Sequence, residues 1–311
     1  MQNRRKFIKV AGAGSAFLAS GVSTLSSCMS NDPVKITILH TNDTHSRFEP
    51  FPDDHPKYPG MGGMAKRAKI VEDIRNTDEN VLLVDAGDIF QGTPYFNYYG
   101  GELNFKLMSM LKYDVATIGN HDLDNGIDGF AKHLKHANFP FVNCNYDFTN
   151  TVLEGKLEAY KTFMFSGIKV GVFGIGIELE GLVDPKNYNA IKYLDPIESA
   201  NNYARILKEE EKCDLVIMLS HLGYKYRGDK VSDVVVAENT NNIDLIVGGH
   251  THTFMKEPDV IKNKAGEDTI VSQAGFAGIN IGRIDFYFDK NKKPGVALNK
   301  YLEVKSDSEE V

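Results

Sequence analysis

The sequence predicts an α/β protein folded as a single domain, on three observations. From residue 34 onward, short apolar runs alternate with stretches of helical composition. Five of the apolar runs stop in a turn that holds Asp, Asn or His. No internal repeat and no Pro-, Gly- or Ser-rich linker divides the chain, whose 311 residues suffice for one large α/β domain.

The elements follow in order. Residues 34–40 (VKITILH) read as a strand whose polar turn begins at Thr41. Residues 62–75 have helical composition. Residues 81–85 (VLLVD) form an unbroken apolar run, as expected of a strand covered on both faces, and lead into Gly87-Asp88. A helix over 103–111 precedes a strand over 115–118, which runs into Gly119-Asn120-His121-Asp122. Residues 130–137 read as helix and 141–143 as a short strand. Runs at 161–165 and 169–174, joined by Ser166-Gly167, read as a hairpin. Pro196 opens a helix over 196–212, its ring tolerated in the first turn. The run 215–219 ends in Ser220-His221, and 245–247 ends in Gly248-Gly249-His250-Thr251-His252. Strands over 269–272, 281–288 and 298–304 close the domain.

Hydrophobic residues make up 42% of the chain, enough for a sizeable core. The formal net charge is −7, and removing residues 1–27 with Arg4, Arg5, Lys6 and Lys9 would leave −11. An acidic surface argues against binding a nucleic-acid polymer, which depends on Lys and Arg neutralising phosphates. A small anionic substrate stays possible, because bound cations supply positive charge locally. Three cysteines do not make a disulfide framework, and Cys144 and Cys213 read as small buried apolar residues.

Residues 1–28 are set apart from the fold as an export signal. A basic segment with the pair Arg4-Arg5 precedes a weakly apolar stretch too short and too rich in Gly and Ser to span a membrane. Leu25-Ser26-Ser27-Cys28 is similar to a lipobox, whose Cys becomes the lipidated first residue of the mature chain. The paired arginines resemble a twin-arginine signal. The basic flank of a Sec signal would carry the same charges. The expected location is the periplasm or cell envelope, with a lipid on Cys28 holding the protein to the membrane.

The chemistry sits in the five turns: Asp43 and His45, Asp88, Asn120 and His121, His221, and His250 with His252. Carboxylate, amide oxygen and imidazole without thiolate suit Zn, Mn, Fe or Co. D-x-H and H-x-H each put two side chains on one side of an extended segment. Strand ends are rigid places from which to hold ligands, and in α/β sheets ligands bind beyond the carboxyl ends of strands. Gly87, Gly119 and Gly249 each precede a candidate ligand, where a tight turn favours glycine. Asp85 reads as structural. A lone His after an apolar strand, as His221 is, is often a satisfied core residue. His40, His55, His133 and His136 show no ligand spacing and read as structural or exposed. The aromatics Tyr95, Phe96, Tyr98 and Tyr99 read as core sooner than as a lip that stacks a base.

The five segments in this order resemble the calcineurin-like metallophosphoesterase superfamily: D-x-H, GD, GNHD, H and GHxH. ILHTNDTHSRFEP, DAGDIFQGTPY and GNHDLDNG are similar to its 5′-nucleotidase branch. The resemblance spans about residues 34–252. It implies a four-layer α/β/β/α sandwich, with two mixed sheets flanked by helices. It also implies two divalent ions, one held by Asp43, His45 and His252 and the other by Asn120, His221 and His250. Asp88 would bridge them. Such an ion pair clamps the attacking and leaving oxygens and lowers the pKa of water. His121 would stabilise phosphoryl oxygens or protonate the leaving group, and Asp124 would orient His121. Asp122 would support the loop by hydrogen bonds.

Residues 29–311 are expected to be the catalytic domain alone. Full-length members of the branch carry a C-terminal domain that specifies the nucleotide. Some members also carry Gln where this chain has His252. The expected function is removal of phosphate from nucleotides. The alternatives are hydrolysis of UDP-sugars, 2′,3′-cyclic nucleotides or another ester, or an assembly subunit working with a separate C-terminal-domain protein.

Overall fold

The computed structural model describes residues 33–305, apart from Asn189 and Asp229. Residues 1–28, read above as an export signal with Cys28, lie outside the described residues, as do residues 306–311. The chain runs β1 (Val34–Thr41), α1 (Met64–Thr77), β2 (Val81–Asp85), α2 (Pro94–Tyr99), α3 (Glu102–Met110), β3 (Val115–Ala116) and α4 (Gly126–His133). It continues with β4 (Tyr146–Asp147), β5 (Tyr160–Phe165), β6 (Ile168–Ile175), α5 (Pro185–Tyr188), β7 (Lys192–Tyr193), α6 (Pro196–Arg205) and β8 (Leu215–Ser220). The last third holds α7 (Asp233–Asn239), β9 (Leu245–Gly248), β10 (Asp259–Lys262), β11 (Asp268–Ser272), β12 (Asn280–Phe288), β13 (Pro294–Leu298) and β14 (Leu302–Glu303).

Twelve of the strands form two six-stranded mixed sheets, β13-β12-β1-β2-β3 with β14 on β12, and β10-β11-β9-β8-β6-β5, while β4 and β7 pair with each other. Strand periodicity explains their packing. Ile36, Ile38, Leu82 and Val84 of the first sheet share one apolar cluster with Val170, Val172, Leu215, Ile217, Leu219, Leu245 and Val247 of the second. The intervening residues Leu39 and Leu83 instead join Val71, Ile74, Phe105, Met108 and Phe130 from α1, α3 and α4. Phe173, Ile175, Val216, Met218 and Ile246 join Ala200, Ala204, Val236 and Ala237 from α6 and α7. Each central strand is therefore buried on both faces, which is why VLLVD and LVIMLS are apolar up to the polar residue, Asp85 or Ser220, that ends each.

Register decides where the site forms. β1, β2 and β3 are parallel, with Thr41 opposite Asp85 and Asp85 opposite Ala116. β8 and β9 are parallel too, with Ser220 opposite Gly248. Within each sheet the carboxyl ends are thus level, so the turns that follow them start side by side.

Several boundaries differ from expectation. α4 spans Gly126–His133 and hands over to a 3₁₀ turn at Leu134–His136, displaced from 130–137. α6 ends at Arg205 and continues as a π-helical turn over Ile206–Glu210. The expected strand over 141–143 is reduced to isolated bridges at Phe141 and Val142. Residues 298–304 do not form one strand, since β13 ends at Leu298 and β14 covers only Leu302–Glu303. α2, α5, α7, β4, β7 and β10 are not among the expected elements. α7 is rich in β-branched Val, whose weak helix propensity hides it, although Ser232 caps it by accepting from the Val235 amide. Cys144 and Cys213 are free and buried, as read. Of the four aromatics after Asp88 only Phe96 is core, whereas Tyr98 is 85% exposed. Among the described residues no helix is long and apolar enough to cross a membrane.

Candidate metal centre

The structure brings all five turns together. Asp43 Oδ1 lies 3.4 Å from His252 Nε2 and 3.9 Å from His221 Nε2. His45 Nε2 and His252 Nε2 stand 3.0 Å apart. Asp88 Oδ2 lies 3.1 Å from His221 Nε2 and 3.9 Å from His45 Nε2. His250 Nδ1 and Asn120 Oδ1 are 2.9 Å apart. Two groups result, each able to hold one ion: Asp43, His45 and His252, and Asp88, His221 and His250. Asn120 adjoins the second group through His250. Asp88 stands between the two.

The turns are held in strained shapes. Asp43, His45, Asp88, His250 and His252 all have φ between 49° and 73°. Side-chain-bearing residues adopt this left-handed region at a cost, and such residues cluster at functional sites. The surrounding backbone over-determines them. The Asp43 amide donates to Gly87 O at 2.9 Å, and the His45 amide to Asp88 O at 3.1 Å. The His250 amide donates to both carboxylate oxygens of Asp43, each at 3.0 Å. Asp122 anchors the Asp88 and Asn120 turns at once. Its carboxylate accepts from the amides of Asp88, Ile89, Phe90 and Gly119 at 2.8–3.0 Å. This is the supporting role expected of Asp122. Gly119 is obligatory for a steric reason, since a Cβ there would collide with Asp88 Oδ1 and sit 2.7 Å from His221 Cε1.

Hydrogen bonds at the far ring nitrogens aim the imidazoles. His45 Nδ1 lies 3.1 Å from Phe90 O, and His221 Nδ1 lies 2.7 Å from Ala86 O. Each carbonyl takes a proton from Nδ1 and so turns Nε2 inward. His221 Nε2 is fully buried, with the Asp88 carboxylate 3.1 Å away. The Nε2 atoms of His45 and His252 face one another across 3.0 Å beside a carboxylate. Ring nitrogens and carboxylate oxygens converging in this way suit a cation. Soft-borderline nitrogen with hard oxygen suits a divalent first-row ion.

Charge points the same way. Burial would lower the His221 pKa, yet the Asp88 carboxylate outweighs it and lifts the imidazole to about 10. Burial would raise Asp88, but His221 and then His45 hold it below the usual carboxylate range. Burial takes His250 down to about 4, with His221 adding to the effect. Burial, then the Asp88 charge, moves Asp122 up to about 7 against the pull of its amide donors. A buried cluster of this kind holds negative charge that positive charge must balance.

His121 stands at the rim, its side chain 37% exposed. Its amide donates to Asp88 Oδ1 at 2.8 Å, and its Nδ1 lies 2.8 Å from Asp124 Oδ2. The hydrogen bond that His121 donates to Asp124 raises the His121 pKa, against burial. Asp124 is itself steadied by Asn187, whose amide donates to its carbonyl at 2.8 Å.

Sequence reasoning missed two supports. Asn42 donates to Asp43 Oδ2 and to Gly275 O, both at 2.6 Å, and accepts from the Ala274 amide at 2.8 Å. Phe276 stacks on His252 at 5.1 Å with a 6° interplanar angle. Asn42 adjoins Asp43 and could have been suspected. Phe276 lies beyond the last motif and carries no spacing signal.

The strand ends thus form a cage able to hold two divalent ions beside a half-exposed His-Asp pair. A family model described as calcineurin-like phosphoesterase matches residues 36–254, and the chain belongs to that family. A 5′-nucleotidase from Vibrio vulnificus (strain CMCP6) is 34% identical over 308 residues, covering 89% of this chain and 54% of its own length. The 5′-nucleotidase precursor from Thermus thermophilus superimposes with a TM-score of 0.77 at 31% identity, over 86% of this chain and 54% of that one. Calcineurin-like phosphoesterase YfkN from Bacillus subtilis gives 0.68 at 26% identity, over 88% and 91%. The chain spans about half the length of the curated relatives it matches.

Proposed function

We propose that this chain hydrolyses phosphoesters, with nucleotides as the substrate class and loss of the 5′-phosphate as the reaction. The observation that carries the reading is Asp88, whose Oδ2 lies within reach of both ligand groups, 3.1 Å from His221 and 3.9 Å from His45. Relatives named 5′-nucleotidase support the nucleotide.

In this reading Asp43, His45 and His252 hold one divalent ion, Asn120, His221 and His250 hold the other, and Asp88 is shared. The ion pair supplies Lewis-acid clamping of phosphoryl oxygens and a lowered pKa for water. Asp88 and Asp43 provide the anionic charge that holds the cations in place. Asp122 fixes the Asp88 and Asn120 turns, so the ligand atoms need no reorganisation. His121, whose pKa the hydrogen bond to Asp124 raises, donates a hydrogen bond to a phosphoryl oxygen or passes a proton to the leaving oxygen.

The test is a substrate screen on chelated protein reloaded with Mn, Zn, Fe or Co. AMP, a UDP-sugar, a 2′,3′-cyclic nucleotide and an aryl phosphate are each offered. Hydrolysis of AMP should appear with metal and vanish with chelator. Protein that holds two ions but is inert to all four esters would support the assembly-subunit alternative, and repeating the screen with a separate C-terminal-domain protein would then be decisive.

Residues 29–311 form the catalytic domain in this reading, and residues 1–28 the export signal with Cys28 as lipid acceptor. Cys28→Ser should move the exported protein from the detergent phase into the aqueous phase. A wild-type product that stays wholly aqueous would refute the anchor.

A further inference from the structure

A second meeting of metal-ligating side chains lies outside the strand-end cage. α4 ends in His133, and the 3₁₀ turn that follows ends in His136. Three residues apart, the two imidazoles share a helix face. Their rings stack with centroids 6.3 Å apart. Glu102, in the first turn of α3, meets them from the neighbouring helix, with Oε1 3.8 Å from His136 Nε2. One ligand atom from each of Glu102, His133 and His136 lies within 4.8 Å of the other two.

The scaffold under this trio is rigid. Phe105 of α3 packs edge-on against Phe130 of α4 at 5.5 Å. Ser109 Oγ donates to His136 O and accepts from the Asn138 amide, both at 2.9 Å. The two helices therefore hold the three side chains at a set distance without any help from a ligand.

An independent observation points to a ligand. His133 is 6% exposed, and its buried Nδ1 has no hydrogen-bond partner. Buried ring nitrogens are normally satisfied, so an orphan asks for an explanation.

We propose that Glu102, His133 and His136 form a third divalent-metal site, separate from the strand-end pair, that takes an ion of the zinc class. Two imidazoles and one carboxylate favour Zn, Co or Ni over Mg or Ca, which prefer all-oxygen shells. Ligands at about 2.0–2.1 Å on a tetrahedral ion stand roughly 3.3–3.4 Å apart, so small rotations of three side chains close the site and leave one position for water. Lys106 pairs with Glu102 Oε1 as an i,i+4 neighbour. That pair is half-exposed and therefore weak, and the flexible ammonium gives way to a divalent cation.

Position suggests what the ion does. Gly100, just ahead of α3, packs against both the Asn125 side chain and the His133 ring. Asn125 directly follows Asp124 and occupies the N-cap position of α4. An ion here would tie the start of α3 to the end of α4, and so brace the helix that carries the His121 turn at its other end. Its role is support, and it does not touch the reacting atoms.

The inference does not depend on the catalytic reading, and metal counting keeps the two apart. The full chain is chelated, reloaded with Zn(II) or with Co(II) as a spectroscopic probe, desalted, and its ions counted per chain. Wild type should hold three. Glu102→Gln and His136→Ala, both at partly exposed positions where folding is safe, should each hold one fewer. Both should keep ester hydrolysis within about twofold of wild type. Excess zinc should raise the Tm of wild type above that of the two-ion form, and should not do so for His136→Ala. If the strand-end reading is wrong the wild-type total changes, but the difference of one ion remains. Equal counts in wild type and both variants would overturn the proposal.

Discussion

Asp88→Asn is expected to lower metal-dependent AMP hydrolysis by at least about 10³-fold, which corresponds to about 4 kcal/mol of transition-state stabilisation. The substitution is nearly isosteric. An asparagine carbonyl can still accept from the His121 amide, which now meets Asp88 Oδ1 at 2.8 Å. What it removes is the charge that Asp88 Oδ2 presents to His221 at 3.1 Å and to His45 at 3.9 Å. If that oxygen is shared by two ions, both should bind more weakly, and metal analysis should find fewer than two in the strand-end cage. Circular dichroism of the metal-free protein should be unchanged, because the fold around Asp88 depends on backbone bonds to Asp122 that the substitution leaves alone. Undiminished occupancy of both ions in Asp88→Asn would remove the bridge from the scheme.

The second large effect separates holding a metal from moving a proton. His121→Ala should cut turnover by about 10²–10⁴-fold and leave the ions in place. Asn120→Ala should cut turnover and lose metal together, since Asn120 Oδ1 stands 2.9 Å from His250 Nδ1 on the rim of one ligand group. The pH profile adds an orthogonal readout. The hydrogen bond to Asp124, working against burial, raises the His121 pKa above 6.5. Protonated His121 therefore persists to higher pH than a free imidazole, and activity that needs the proton falls only above that point. Asp124→Asn weakens this support, so the alkaline limb of the kcat profile should move to lower pH. Equal metal loss in His121→Ala and Asn120→Ala, or a limb that does not move, would reassign both residues.

The aromatic residues after Asp88 show how local pattern misleads. Tyr95, Phe96, Tyr98 and Tyr99 lie on one short helix, where hydrophobicity alone favours core. Only one face of a single turn can be covered, so Phe96 is buried and Tyr98 projects into solvent. His133 and His136 show the opposite limit of pattern, since they meet a carboxylate that no spacing announces. Their spacing resembles no motif because the third member, Glu102, comes from another helix about thirty residues earlier in the chain.

The candidate ligands themselves were readable because each stands one to four residues beyond an apolar strand. A buried strand can be recognised from composition, and its carboxyl end is where an α/β sheet presents side chains. The sequence by itself thus determined the α/β class, the buried strands, the two free buried cysteines and the residues that face the cage. The tertiary structure alone decided the rest: that Thr41, Asp85 and Ala116 are level across one sheet, that Ser220 and Gly248 are level across the other, and that five ligand candidates sit at positive φ. It also decided that Asn42 and Phe276 buttress the cage and that Glu102 meets His133 and His136. The physical reason is common to all of these. Composition and periodicity report which faces avoid water, a property each segment carries alone, whereas register, strained turns and side chains meeting from distant segments exist only once the segments pack against one another.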